Sequence, residues 1–220
     1  AGFPGHEMAG TVTAVGRRVK RLKVGDRVAT TVTAGEDQPG FYAEYAARPE
    51  SAVARLPRGV SVEAGASLEM SRYVRAHLKA IDVTRLRAGV VGLGPAGLIA
   101  LQMLRAMGAR EVVAIDRLPA RLALARKLGA TETIATAGAA GITRLSKNPL
   151  QASVDCTGAA AGLQLALDHT RGPVVVFGVV HGDAKFSTRH WLQGTYIPKR
   201  VNPDDADTAF VLGLWRRGQL

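Results

Sequence analysis

Residues 92–97 read Gly-Leu-Gly-Pro-Ala-Gly, a G-x-G-x-x-G string, and no other segment constrains the fold as tightly. Alone the pattern is weak. Its surroundings strengthen it: Val90-Val91 precede it as the start of an apolar strand, Leu98–Met107 follow with helical character, and Gly108 closes that run. Asp116 stands 19 residues after Gly97, at the end of the next apolar run, Glu111–Ile115. A strand, a glycine turn, a helix and a second strand ending in an acid is the dinucleotide-binding fingerprint. Gly92 allows the tight turn, Gly94 keeps a side chain away from a pyrophosphate, and Gly97 lets the helix pack close. The helix N-terminus then offers amide donors and a positive dipole end to phosphates. Asp116 is the candidate acceptor for the ribose hydroxyls. Only Val90 and Val91 are clearly apolar before the loop, so either Arg87–Gly89 extend the strand or residues are missing from this chain.

The alternation continues downstream. Pro119 suits a first helical turn and Ala120–Leu128 runs on to Gly129. Ala152–Asp155 reads as a strand, Ala159–Leu167 as a helix and Val174–Phe177 as a buried strand. Repeated β-α-β units imply a doubly wound parallel sheet, an α/β fold, with helices on both faces. Thr131–Gln151 carries no clear period. Residues 1–56 have a different character: Thr11–Val15, Arg27–Thr33 and Gly40–Ala47 read as strands between glycine-marked turns. Ser61–Ile81 turns helical, with Ser61 as its start signal. Near the end, Asp204-Asp205 precede a helix over Thr208–Arg217, acidic at its start and basic at its close. The expected organisation is a partial β-rich lobe at 1–60, a linking helix at 61–85, the dinucleotide-binding domain at 86–190 and a return segment at 191–220.

Composition removes several classes. Of 220 residues, 47% are hydrophobic and 21% charged, which is a globular and not a disordered balance. The formal net charge is +11, but the basic residues are scattered and aromatics are only 5%. That favours a solvated Arg-rich surface over nucleic-acid binding. The one cysteine, Cys156, excludes a disulfide within the chain and any multi-Cys zinc site. The opening AGFPGHEMAG has no signal-peptide pattern, and no apolar run is long enough to span a bilayer. A cytoplasmic setting without a membrane partner is the expectation.

Two distant segments carry a family resemblance. Gly5-His6-Glu7-Met8-Ala9-Gly10-Thr11-Val12 with Val15-Gly16, followed by Val24-Gly25-Asp26-Arg27-Val28, resembles the zinc-type alcohol dehydrogenases of the medium-chain dehydrogenase/reductase family. The glycine loop through GLGPAGLIALQMLRAMGA and ARLALARKLGAT resembles the cofactor domain of the same family. Asp155-Cys156-Thr157-Gly158 and Val174–Gly178 stand where that family places later strands of that domain.

The resemblance implies a smaller β-rich, GroES-like catalytic lobe beside the Rossmann domain. It implies an oxidoreductase passing a hydride between a nicotinamide cofactor and a small alcohol or carbonyl substrate, and a homo-oligomer. The cofactor-binding candidates are Gly92, Leu93, Gly94, Pro95, Ala96, Gly97, Asp116, Arg117, Thr157 and Gly178. Asp116 favours NAD(H) over NADP(H), because its charge opposes a 2′-phosphate, while Arg117 beside it could pair with one. His6 and Glu7 of the GHE string are candidate metal ligands and catalytic residues. Glu69 joins them, since Ala66-Ser67-Leu68-Glu69-Met70 resembles the polyol-type segment carrying the third ligand, with Met70 where proline is usual. The Cys ligand belongs upstream of GHE and is absent from this chain, as is the four-Cys structural lobe, replaced by Gly35–Gly40. The resemblance thus implies a chain shortened at both ends, with zinc partial or absent. Two alternatives stand beside the leading reading: a zinc-independent quinone or enoyl reductase of the same family, against which His6 argues, and a cofactor-binding protein without turnover. His77, His169, His181 and His190 are expected in structural or surface roles, and Cys156 as an inert buried thiol.

Overall fold

A computed structural model describes residues 4–31 and 40–220. The chain divides into two compact units: Ala1–Tyr73 with Pro203–Leu220, and the continuous Val74–Asn202.

The first unit holds a three-stranded antiparallel sheet. Its strands are β1 (Ala9–Thr11), β2 (Arg27–Thr30) and β3 (Val53–Arg55), in that spatial order. β2 is central and buries Val28, Ala29 and Thr30. Expected Thr11–Val15 is therefore displaced: the strand ends at Thr11 and Val15 is exposed. Its partner runs out, because past Asp26 the chain folds into a turn. There the Asp26 carboxylate accepts the Lys23 N–H at 2.9 Å and pairs with Arg55 at 2.7 Å. Gly40–Ala47 forms no strand either. Phe41 N–H donates to Gly5 O and Tyr42 N–H to Pro4 O, and no ladder continues. Tyr42 and Tyr45 lie open to solvent, so no face of the segment is buried. Its aromatic content suggested strand, but strand propensity acts through packing on a half-buried surface. The end of the expected Arg27–Thr33 strand and most of Gly35–Gly40 lie outside the described residues.

Two helices follow, not one: α1 (Val62–Gly65) and α2 (Leu68–Leu78). Ser61 caps the first, its hydroxyl accepting the Ala64 N–H at 3.1 Å.

The second unit is a five-stranded parallel sheet. In chain order it contains β4 (Arg87–Val91), α3 (Pro95–Ala106), β5 (Glu111–Asp116), α4 (Pro119–Lys127), β6 (Glu132–Ala135), α5 (Ala139–Lys147), β7 (Ala152–Asp155), α6 (Ala160–His169), β8 (Val174–Val176) and α7 (Thr188–Leu192). The spatial order β6-β5-β4-β7-β8 reverses direction beside β4, which is the topological switch point of a doubly wound sheet. β4 and β7 are buried throughout and β5 nearly so, with apolar residues at their centres and polar or charged ones towards their ends.

Arg87–Gly89 do extend β4. The charge at Arg87 is neutralised across three strands: its guanidinium pairs with Glu111 at 2.5 Å and Glu132 at 2.6 Å, at the starts of β5 and β6. The unread stretch Thr131–Gln151 supplies β6 and α5, anchored on the core by Ile134 and Leu145. The chain closes with α8 (Asp205–Arg216) in the first unit, opened by a reciprocal Asp204–Asp207 capping box.

Candidate cofactor site

The switch point places β4 beside β7 and aims both carboxyl ends at the glycine loop. Gly92 has φ +87°, and a Cβ there would stand 2.7 Å from Thr157 Cγ2 and 3.1 Å from the Cys156 carbonyl carbon. Only glycine satisfies both the backbone and the space. A Cβ at Gly97 would overlap the Gly92 carbonyl oxygen, so the third glycine seats α3 against the loop itself. Gly94 differs from both. A Cβ there meets nothing within 4 Å, which leaves its outer face open to a ligand. Gly94 is the N-cap of α3 and Pro95 fills the first helical position, where an N–H would have no intrahelical partner. The amides of Gly94, Ala96 and Gly97 make up the donor set at this helix start.

Leu93 serves the site indirectly. Its side chain is buried, and its N–H donates to Asp116 Oδ2 at 2.7 Å. Asp116 Oδ1 accepts the Leu118 N–H at 2.9 Å. The loop and the acid are thus hydrogen-bonded to each other, and each carboxylate oxygen keeps a further lone pair for a hydroxyl donor. Arg117 is exposed beside Asp116. Arg121, on the first turn of α4, holds its guanidinium 3.7 Å from Asp116 Oδ2. Sequence reasoning passed over Arg121; its signal was an Arg one helical turn past the acid.

Thr157 and Gly178 form the neighbouring wall. Thr157 donates its N–H and its Oγ–H to Asp155 Oδ1, at 3.1 and 2.6 Å. Gly178 packs against Gly158, where a Cβ would stand 2.5 Å from the Gly158 nitrogen, so its glycine identity answers to the loop beside it. The Cys156 thiol is pushed well above its ordinary pKa by burial and by the Asp155 charge, which agrees with an inert thiol.

In the first unit, His6 and Glu69 come together: His6 Nδ1 lies 3.3 Å from Glu69 Oε2, with the imidazole largely exposed and the carboxylate buried. Glu7 is pushed above the ordinary glutamate value by desolvation and by the Glu69 charge, with His6 offsetting part of this. Among the described residues no group of three or more His, Cys, Asp or Glu side chains is arranged to hold a metal ion. A catalytic zinc takes three ligands from the protein. The described side chains bring two into contact, so they do not fit that ion as they stand. Arg72, one turn along α2 from Glu69, is buried and donates to the Asp204 carbonyl at 3.2 Å, joining this helix to the start of α8.

Of the other histidines, His77 and His190 are packed inside and His181 is exposed. His77 is buried and packs edge-on against Phe177. His190 is buried, with Nε2 2.9 Å from Asp168 Oδ1 and Nδ1 accepting the Ser187 N–H at 2.9 Å, so it fastens α7 to α6. Burial lowers the pKa of His169.

Comparison with known proteins agrees with this architecture. Residues 95–197 match the Zinc-binding dehydrogenase family and residues 2–58 the Alcohol dehydrogenase GroES-like domain. Sorbitol dehydrogenase of Rattus norvegicus is 31% identical over 207 residues, covering 80% of this chain and 58% of the relative. L-threonine 3-dehydrogenase of Alteromonas mediterranea is 29% identical over 192 residues, covering 77% and 54%. The chain therefore spans a little over half the length of these curated relatives. The crystal structure of galactitol-1-phosphate dehydrogenase from Escherichia coli shares the fold, with a TM-score of 0.84 at 21% identity, covering 100% of this chain and 74% of that one. Among the described residues no helix is long and apolar enough to cross a membrane. With both of its units matched, the chain belongs to the zinc-type alcohol dehydrogenases of the medium-chain dehydrogenase/reductase family.

Proposed function

We propose that this chain is an oxidoreductase that exchanges a hydride between a nicotinamide dinucleotide and a small secondary alcohol or its carbonyl, with NAD(H) preferred over NADP(H). The observation that carries the reading is the hydrogen bond from Leu93 N–H to Asp116 Oδ2, which makes the phosphate loop and the ribose acid one rigid element. The amides of Gly94, Ala96 and Gly97 bind the pyrophosphate, Asp116 accepts from the adenosine ribose hydroxyls, and the Arg121 guanidinium lies 3.7 Å from the carboxylate oxygen that Leu93 also binds. A 2′-phosphate would meet the Asp116 charge, partly offset by Arg117 and Arg121. The bound nicotinamide supplies the hydride acceptor: alcohol and NAD⁺ give carbonyl, NADH and a proton. Sorbitol and threonine, named by the relatives above, both carry a secondary alcohol beside a polar group, and that is the substrate class we assign.

Among the described donors His6 and Glu69 come into contact, one short of the three protein ligands a catalytic zinc takes. Two other readings stay beside the leading one: a metal-independent quinone or enoyl reductase of the same family, against which His6 argues, and a cofactor-binding protein without turnover. Exposed Trp191, Leu192, Tyr196 and Ile197, clustered in sequence after β8, support self-association. A cytoplasmic setting fits the cofactor.

Fluorescence titration with NADH and NADPH tests the cofactor reading. Tighter NADH binding that weakens in Asp116→Ala supports it, and equal or tighter NADPH binding overturns the preference. Turnover assays on polyols, 3-hydroxy amino acids and quinones, with and without added zinc, separate these readings. Sedimentation of Trp191→Ser against the parent protein tests self-association.

A further inference from the structure

Asp155 ends β7 and is fully buried. Its Oδ1 accepts both the N–H and the hydroxyl of Thr157. Its Oδ2 is buried with no hydrogen-bond partner among the described residues. Nothing in the cofactor reading uses its charge.

Its position is more telling than its burial. Asp155 is the register partner of Val91, the residue that delivers the chain into Gly92, and Cys156 N–H donates to Val91 O at 2.8 Å. The turn it closes presses the Thr157 Cα and Cγ2 against Gly92. Its own carbonyl accepts the Phe177 and Gly178 amides at 3.0 Å. One aspartate therefore braces the floor of the loop from the adjacent strand. Its ionised form also places a buried negative charge one strand away from where a dianionic pyrophosphate would lie.

We propose that Asp155 is a positioning residue for the phosphate loop, and that its carboxyl takes up a proton when the pyrophosphate of a dinucleotide binds at Gly92–Gly97. The proposal rests on the cofactor reading above and deepens it. Both protonation states preserve the brace, since Oδ1 accepts from Thr157 in either. The proton belongs on Oδ2, where an ionised oxygen has no partner and a neutral hydroxyl is the smaller burial cost. Burial already pushes this carboxyl above the ordinary aspartate value, with the Thr157 bonds pulling the other way. The titratable groups on the surrounding elements are the Cys156 thiol next in the chain, His77 against Phe177, His181 beside Gly158 and Asp116 at the end of β5. Among the described residues none of them forms an ion pair with Asp155. The pyrophosphate is the one charge that the proposed binding event adds, and an anion arriving there favours the protonated form.

The sign is definite. Proton uptake on binding means that affinity falls as pH rises through the raised Asp155 value. A shift of about one pKa unit on binding corresponds to about tenfold in affinity across the titration.

The test is calorimetric titration of the 220-residue protein with ADP-ribose, which carries the pyrophosphate without the nicotinamide. It is run from about pH 5 to 9, in buffers of different ionisation enthalpy so that proton uptake is read directly. The expected result is fractional proton uptake and an affinity about tenfold weaker at high pH. In Asp155→Asn, which keeps the Oδ1 acceptor, uptake vanishes and the affinity stays near its low-pH value throughout. Thr157→Val removes one bond that holds the carboxyl ionised, so its pH midpoint moves upward. This second variant reads the same coupling where the Asn protein does not fold. Uptake that persists in Asp155→Asn, or an unmoved midpoint in Thr157→Val, overturns the inference while leaving the cofactor reading intact. Absence of ADP-ribose binding at every pH overturns both.

Discussion

The glycine loop and the His6–Glu69 pair were both marked by sequence motifs, yet they differ in how much of the fold holds them. The loop is fixed from every side: a strand behind it, a helix seated on its carbonyl, an acid bonded to its amide and a second turn packed on its first glycine. The pair meets through a 3.3 Å contact between an exposed imidazole and a buried carboxylate. A dinucleotide site is made mostly of backbone, so once the turn forms its donors are in place. A metal centre is made of side chains from separate elements, and each ligand has to be delivered separately.

The largest effect that would sharpen this contrast belongs to Gly97. Gly97→Ala forces a methyl into the Gly92 carbonyl, and we expect about 2–3 kcal/mol of lost stability together with loss of NADH binding. Gly94→Ala, with open space at its Cβ, should weaken NADH binding while its melting temperature stays within about 2 °C. Chemical denaturation and cofactor titration of the two variants separate packing from ligand approach. If both variants lose stability equally, the reading of the loop as two kinds of glycine breaks.

Next in size is Arg87. Arg87→Met leaves Glu111 and Glu132 facing each other, and about 2–4 kcal/mol should be lost at neutral pH. Hydrogen bonding to Arg87 holds Glu111 below the ordinary glutamate value. Its contribution is therefore complete above pH 4.5, the value in the unfolded chain, and disappears as pH falls through the lowered one. The gap between parent and variant should narrow on acidification, and denaturation at several pH values checks it.

A smaller effect is expected at the pair. His6→Ala should cost no more than about 1 kcal/mol, because an exposed partner contributes little, and NADH affinity should not change. Stoichiometric zinc that is lost on His6→Ala would show that further ligands reach this site and would erase the contrast with the loop. The smallest effect belongs to Glu7. Its raised pKa means ionised Glu7 weakens the fold as pH rises from 4.5 through the raised value. Glu7→Gln should be slightly more stable than the parent above that range and equal to it below, by thermal denaturation. The opposite order would mean that burial and the Glu69 charge do not hold this carboxyl above its ordinary value.

Legibility in the sequence followed the same division. The β4–loop–α3–β5 unit was readable because its spacing is set by geometry local to the chain. Gly92, Gly97 and Asp116 occupy the places their spacing demanded. β6 and α5 were not readable, because this edge of the sheet is anchored mainly by Ile134 and Leu145, among alanines, glycines and threonines that mark no period. Gly40–Ala47 was misread because Phe41, Tyr42 and Tyr45 have strand propensity but no buried face. The partners of His190 and Arg87 were out of reach, since Asp168, Glu111 and Glu132 become neighbours only when the sheet and its helices assemble. Glu69 was singled out through its surrounding string, together with His6 and Glu7, and the structure sets His6 3.3 Å from it.

The Arg72–Asp204 bond has a consequence for the order in which the molecule is made. It spans 132 positions and lies within the unit that the chain leaves after Tyr73 and re-enters at Pro203. During synthesis the parallel-sheet unit is complete in sequence before Asp204 has left the ribosome. Domains generally fold as units as they emerge. The antiparallel lobe must therefore wait, its buried guanidinium without that carbonyl, while its neighbour folds. A chain stalled or cleaved between Asn202 and Asp204 would carry a finished nucleotide fold beside an unfinished lobe, and proteases and chaperones would meet that lobe first.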